Sequence, residues 1–180
     1  MRSYISIDIE TTGLDTTRSH VLQIGAVYDD GVTPLELLPT FNVKLDWDHL
    51  EYAEIPALVV NASLLNAIRE GEGVAPGDAF NSFIDFLESH KGEYRMQLAG
   101  KNVAGFDIPI LKNNMSEEQR TRFSNLIQSR TLDVGSMYAT QFGFNPTLDM
   151  INKRIGYQAV THDALEDAMN VVFAIRSLGA

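Results

Sequence analysis

The chain contains no cysteine, which excludes disulfides, iron–sulfur centres and thiolate-held zinc and leaves oxygen and imidazole as the metal donors on offer. It has no apolar run approaching the roughly 20 residues of a membrane span, and Met1 leads almost directly into a strand-like run without a basic, apolar leader. A soluble, cytoplasmic protein is the expectation. Basic residues are scarce: 14 Lys and Arg stand against 24 Asp and Glu, for a formal charge of -10. That balance repels a polyphosphate at long range and argues against a protein that coats nucleic acid. It is a smaller obstacle to an enzyme that holds only a strand end, where a few local cations and bound metal ions carry the attraction. Lys101, Lys112, Arg130, Lys153 and Arg154 are the candidates for such local charge, with scattered, solvated side chains as the alternative for each.

The 180 residues, 44% of them hydrophobic, suffice for one sizeable core and leave little for a second, so residues 1–180 are expected to form a single domain without internal repeats. From Tyr4 to Glu10 the chain alternates, with Ile5, Ile7 and Ile9 on one face and Ser6, Asp8 and Glu10 on the other. Thr11 to Asp15 is turn material. Val21 to Tyr28 and Phe41 to Leu45 read as further strands, with Asp29-Asp30-Gly31 as a hairpin turn, which makes the first third an antiparallel meander. Trp47 to Pro56 lacks a period and reads as a loop. Helical spacing follows over Leu58 to Arg69 and, after a glycine-rich break, over Asp78 to His90, where Phe80, Phe83, Ile84 and Leu87 share a face. A short strand at Met96 to Ala99 then leads into a helix with Pro109 in its first turn, where the missing donor would be unpaired anyway. Leu132 to Val134 reads as a last strand, and Ser136 to Gln141, Thr147 to Ile155 and Asp163 to Leu178 as helices. Strands in a meander, then strands alternating with helices, predict an α/β fold. Its mixed five-stranded sheet combines an antiparallel meander with parallel strands and is flanked by helices, as in an RNase H-like arrangement.

Three acidic motifs carry the chemistry. Asp8 and Glu10 leave one face of the first strand about 7 Å apart at the backbone, close enough to converge on the same ions; a solvated edge-strand face is the other reading. Asp107 ends the Asn102 to Asp107 segment where a strand hands over to a helix. Asn102 can pin that loop by side-chain hydrogen bonds, and Asp107 can also serve as an N-cap before Pro109. Phe106 either packs in the loop or touches a terminal base. His162 precedes the last helix and Asp167 lies in its first turns, while Asp163 and Glu166 have the spacing of a variant capping box. An imidazole with an ordinary pKa near 6.5 is suited to accept a proton from water, although a lone histidine is more often structural, as His20, His49 and His90 are read here. Four carboxylates and one imidazole suit a site where two hard cations assist phosphodiester cleavage.

Taken together, the motifs resemble the DEDD exonuclease superfamily in its histidine (DEDDh, DnaQ-like) branch. Asp8 to Leu14 and His162 to Ala168 carry the resemblance most closely, and it spans Tyr4 to about Phe173. The tyrosine branch would place tyrosine where this chain has Asp163. The resemblance implies two Mg²⁺ or Mn²⁺ ions held by Asp8, Glu10, Asp107 and Asp167, with His162 as general base. It implies release of nucleoside monophosphates from a 3′ end, with Thr11, Thr12 (through its backbone) and Leu14 around the terminal nucleotide; Asn102 and Phe106 complete the candidate substrate-binding set. Gly100-Lys101-Asn102 stands where members often have Gly-His-Asn. Single-stranded DNA ends are the favoured substrate. Exoribonuclease or oligoribonuclease action on short RNA, or a non-catalytic binding subunit, are the alternatives. Relatives include homodimers and polymerase-associated subunits, so either kind of partner is compatible with the sequence.

Overall fold

The computed structural model describes residues 3–179. Five strands form one mixed sheet: β1 (Tyr4–Thr11), β2 (Val21–Asp29), β3 (Thr40–Lys44), β4 (Leu98–Gly100) and β5 (Leu132–Asp133), in the order β3-β2-β1-β4-β5. β1 to β3 run antiparallel as a meander, and β4 and β5 add in parallel beyond β1. The expected α/β, RNase H-like mixed sheet flanked by helices is therefore the observed architecture. The sheet places β1, with its acidic face, at the centre.

Alternation along β1 separates the two helical layers. Ile5, Ile7 and Ile9 pack against α3 (Pro76–Ser89), α4 (Asp107–Asn114) and α5 (Glu117–Leu126), through Phe80, Phe83, Ile84, Ile110, Leu111 and Phe123. Fully burying each such side chain is worth about 1.5–3 kcal/mol. On the opposite face Tyr4, Val27 and Ala99 meet α6 (Val134–Phe142), α7 (Leu148–Ile155) and α8 (Ala164–Ser177). Ser6, Asp8 and Glu10 belong to this second face, so the helix that covers them is α8. The Ser6 hydroxyl donates to the Ala168 carbonyl at 2.8 Å and bolts that helix to the central strand.

Several boundaries differ from the sequence reading. Asp29-Asp30-Gly31 does not close a tight hairpin, because residues 30–39 form a longer connection containing a single helical turn at Leu35–Leu37. There the Asp30 carboxylate accepts from the Val32 and Thr33 amides, and Asp29 is drawn inward to Arg176. Part of the expected Trp47 to Pro56 loop is helical: α1 (Ile55–Val60) starts with proline in its first turn, and α2 (Ala62–Ala67) follows after Asn61. α5 was not anticipated at all. Its Ser116 and Gln119 form a reciprocal capping box, and only Gln119, Phe123 and Leu126 of this otherwise polar helix are buried. Among the described residues, no helix is long and apolar enough to cross a membrane.

Candidate active site

The carboxyl end of β1 opens into a cleft of about 480 Å³ whose walls include Asp8, Glu10, Thr11, Leu14, Phe106, His162 and Asp167. Segments from both ends and the middle of the chain thus meet in one place. Gly25 makes the meeting possible. It pairs with Asp8 across β1 and β2, and a Cβ there would lie 2.1 Å from the Ala164 backbone carbon. Only glycine lets the start of α8 descend onto the sheet beside Asp8. Gln23, the register partner of Glu10, donates to Asp163 at 2.9 Å and accepts from the Ala164 amide at 3.4 Å. Asp163 also accepts from the Leu165 and Glu166 amides, so it caps α8, as expected, and ties the helix to β2 at the same time.

Asp167 sits one turn into α8, nearly fully buried, and accepts from the Thr161 amide at 3.3 Å, the His162 amide at 3.2 Å and the Asn170 side chain at 3.0 Å. These donors aim its carboxylate. They also hold His162 at φ 58, a left-handed conformation uncommon for a residue with a side chain, so the imidazole stands at the exposed rim. One ligand atom from each of Glu10, His162 and Asp167 lies within 4.8 Å of the other two. Asp107 lies in the first turn of α4, 4% exposed, with Phe106 rather than Asp107 at the cap position.

The electrostatics of the carboxylates are those of charges buried together. Burial, then the charges of Asp107, Glu10, Asp167 and Asp163, push Asp8 well above the ordinary carboxylate range. Burial lifts Glu10 to about 7, although His162 and the Asn61 side chain pull it down. Burial likewise raises Asp107 to about 7 against backbone hydrogen bonds, with Glu10 adding to the rise. Asp167 is raised by burial despite its three donors. Among the described residues, no lysine or arginine forms an ion pair with any of the four. Unpaired carboxylate oxygens in this density are the donor chemistry that hard divalent cations require, so the residues present fit such ions.

Two expected contacts are not in the cleft. Thr12 is fully buried; its amide donates to the His20 carbonyl at 2.9 Å and its carbonyl accepts from the Glu54 amide at 2.7 Å, so its backbone serves the fold. Asn102 lies outside the lining and holds its loop through its main chain: at φ 59 its carbonyl accepts from Gly105 and Phe106, and its amide donates to Asp133 at 2.6 Å. Asparagine tolerates that left-handed conformation better than most residues, and this is what the position uses.

The sequence reading missed Gly25, Gln23, Asn61, Asn170 and Glu54. Gly25 carried a local signal, a glycine inside a strand, and so did Asn170, one helical turn from Asp167. Glu54 accepts from the Leu14 amide at 3.1 Å and the Tyr52 hydroxyl at 2.7 Å, and so holds the turn that presents Leu14, 75% exposed, to the cleft.

The model of the RNase T family, described as exonuclease, matches residues 5–174. The chain belongs to this exonuclease family. The resemblance to DEDDh, DnaQ-like members of the RNase H-like superfamily is thereby supported over nearly the whole chain. No curated protein matches it. Membership makes the protein a nuclease, a hydrolase acting on nucleic acid, in a family that uses divalent metals.

Proposed function

We propose that this exonuclease is of the DEDDh type and removes nucleoside monophosphates from the 3′ end of single-stranded DNA. The observation that carries the proposal is a group of four carboxylates at one cleft, Asp8, Glu10 and Asp167 in its lining and Asp107 buried near enough for its charge to act on Asp8. Each is raised in pKa and, among the described residues, none is paired with a lysine or arginine. Asp8, Glu10, Asp107 and Asp167 are assigned to hold two Mg²⁺ or Mn²⁺ ions. When bound, such ions supply Lewis-acid chemistry, lowering the pKa of water and neutralising charge on the phosphate under attack. The chain's own groups do the rest. The amides of Thr161 and His162 fix the Asp167 carboxylate, and the same two hydrogen bonds fix the loop that carries the imidazole. His162, at the rim, accepts the proton of the attacking water. Leu14 and Phe106, both on the cleft wall, flank the terminal nucleotide, and Thr11 lines its floor. The 3′ polarity rests on the likeness of the three motifs to DEDDh enzymes, and the preference for DNA on that reading of the sequence.

The grouping of Glu10, His162 and Asp167 favours a second reading in which His162 is a ligand and not the base. A His162→Ala variant separates the two. As the base, its loss lowers kcat and leaves the rise in melting temperature on Mn²⁺ addition intact; as a ligand, both are lost. The function itself is tested with matched DNA and RNA single strands labelled at the 5′ end, first with Mg²⁺ and then with Mn²⁺. The expected product is a ladder of 5′-labelled DNA fragments shortened one nucleotide at a time. Label released directly as a mononucleotide, or full-length strands under both metals, would refute the proposal, and preferential shortening of RNA would move the assignment to an exoribonuclease.

A further inference from the structure

Among the described residues, the cleft is lined by one lysine and no arginine. Of the five cations the sequence offered, Lys101 lines the cleft, whereas Lys112 lies in a separate depression beside Arg95, and Arg130, Lys153 and Arg154 line neither. Lys101 is also held in place. Its ammonium donates to the Asn145 side-chain oxygen at 3.0 Å, and the pair takes up the space beside Gly135. A Cβ on Gly135 would lie 2.1 Å from the Asn145 oxygen and 2.8 Å from the Lys101 nitrogen. Among the described residues no carboxylate comes within ion-pair distance of Lys101, so one of its three donors is spent on a neutral amide and two remain for a ligand.

Location decides what the ligand is. The ammonium lies against Asn145 and beside Gly135 at the start of α6, and among the described residues it pairs with none of Asp8, Glu10, Asp107 and Asp167. Lys101 is thus set apart from the carboxylates that are to hold the metals. A single strand entering an acidic cleft carries one charge per linkage, and ions at the carboxylates serve only the linkage being cut. We infer that Lys101, positioned by Asn145, is a binding site for a non-scissile phosphate of the substrate strand. This rests on the exonuclease reading and adds the device by which a protein of charge -10 retains a polyanion. A lysine in this role acts as a point charge on phosphate rather than as a reader of bases, so it serves any sequence.

The test compares wild type with Lys101→Ala, Lys101→Met, Lys101→Arg and Asn145→Ala, the methionine variant keeping the apolar stem in case alanine disturbs folding. Steady-state kinetics are measured with Mg²⁺. Binding of a fluorescent single strand is followed by anisotropy with Ca²⁺ over a series of salt concentrations. Loss of the ammonium is expected to raise KM and Kd about tenfold, to leave kcat within about twofold, and to flatten the slope of log Kd against log salt by about 0.7, one phosphate on a single strand. Lys101→Arg should restore most of the loss. Asn145→Ala should weaken binding without changing the salt slope. Replacing linkages one at a time with uncharged methylphosphonate should reveal one, upstream of the cut, that matters to wild type and not to Lys101→Ala. Unchanged KM and salt slope in Lys101→Ala and Lys101→Met overturn the inference, as does a loss confined to kcat or a methylphosphonate effect at the scissile linkage alone. A wild type that cuts nothing refutes the nuclease assignment and leaves the salt slope still to report on Lys101.

Discussion

Helix α8 meets the sheet at both of its ends through buried carboxylates, and the two ends are solved in opposite ways. At its C-terminal end, Asp29 is 1% exposed and accepts from Arg176 at 2.5 and 3.1 Å, from the Tyr4 hydroxyl at 2.6 Å and from the Gly31 amide at 2.7 Å. Burial pushes its pKa up, but these donors outweigh burial and leave it below the ordinary value. At the N-terminal end, Glu10, Asp107 and Asp167 are buried and Asp8 is half-buried, yet among the described residues no lysine or arginine pairs with any of them. One sheet and one helix thus yield one depressed carboxylate and four raised ones, three of the four as buried as a core side chain. Burial therefore does not separate a structural acid from one held ready for a ligand, and neither does the number of donors, since Asp167 accepts from three; a cationic donor does.

The comparison can be broken most forcefully at the N-terminal end. Asp8→Asn should lower kcat by about 10²–10³-fold. It should also raise the melting temperature in chelator, because a carboxyl group crowded by other carboxylates and held, among the described residues, without a lysine or arginine partner is replaced by a neutral amide. Gly25→Ala is next. Its Cβ would displace the Ala164 backbone, costing about 1–3 kcal/mol by overpacking and moving Asp167 away from Asp8, and kcat should fall about 100-fold. Chemical denaturation and single-turnover kinetics read the two effects separately. At the other end the pattern inverts: Arg176→Ala should cost about 3 kcal/mol in denaturant unfolding, since it leaves Asp29 buried and unpaired, with kcat unchanged.

The smallest effect is on pH dependence. Glu10 is raised from 4.5 to about 7, so between those values the folded chain binds more protons than the unfolded one. Stability in chelator should then decline by several degrees of melting temperature as pH rises through that window, and saturating Mg²⁺ should abolish the decline. Asp29 has the opposite sign. Its contribution is complete above the unfolded value of 3.8 and is lost as pH falls through its lower folded value. A melting temperature in chelator that climbs steadily from pH 4.5 to 7 would show that the N-terminal carboxylates are not raised.

Which parts were legible in the sequence follows from the range of the interactions involved. Alternation from Tyr4 to Glu10 is a local property, and it placed Asp8 and Glu10 on one face correctly because the neighbouring isoleucines fix which face is buried. The position of His162 before the last helix and of Asp167 within it was equally local. By contrast, Asp29 reads as a turn residue and becomes a buried anchor only because Arg176, far along the chain, reaches it. Thr12 reads as part of a hydroxyl-rich loop, but its two backbone groups are claimed by His20 and Glu54. α5 escaped notice because a largely solvated helix has too few apolar positions to show a period; its Ser116 to Gln119 capping box was the available signal. Gln23 and Asn61 act through contacts that no spacing rule anticipates, whereas Asn170 stands one helical turn from Asp167, a spacing at which side chains meet.

Calorimetric titration of chelator-stripped protein with Mn²⁺, in wild type and Asp8→Asn, reaches the central claim most directly. Two ions bound per wild-type chain, with at least one lost in Asp8→Asn, are the expected result. Heats that show no ion bound by wild type, or the same stoichiometry and affinity in both proteins, would contradict the account.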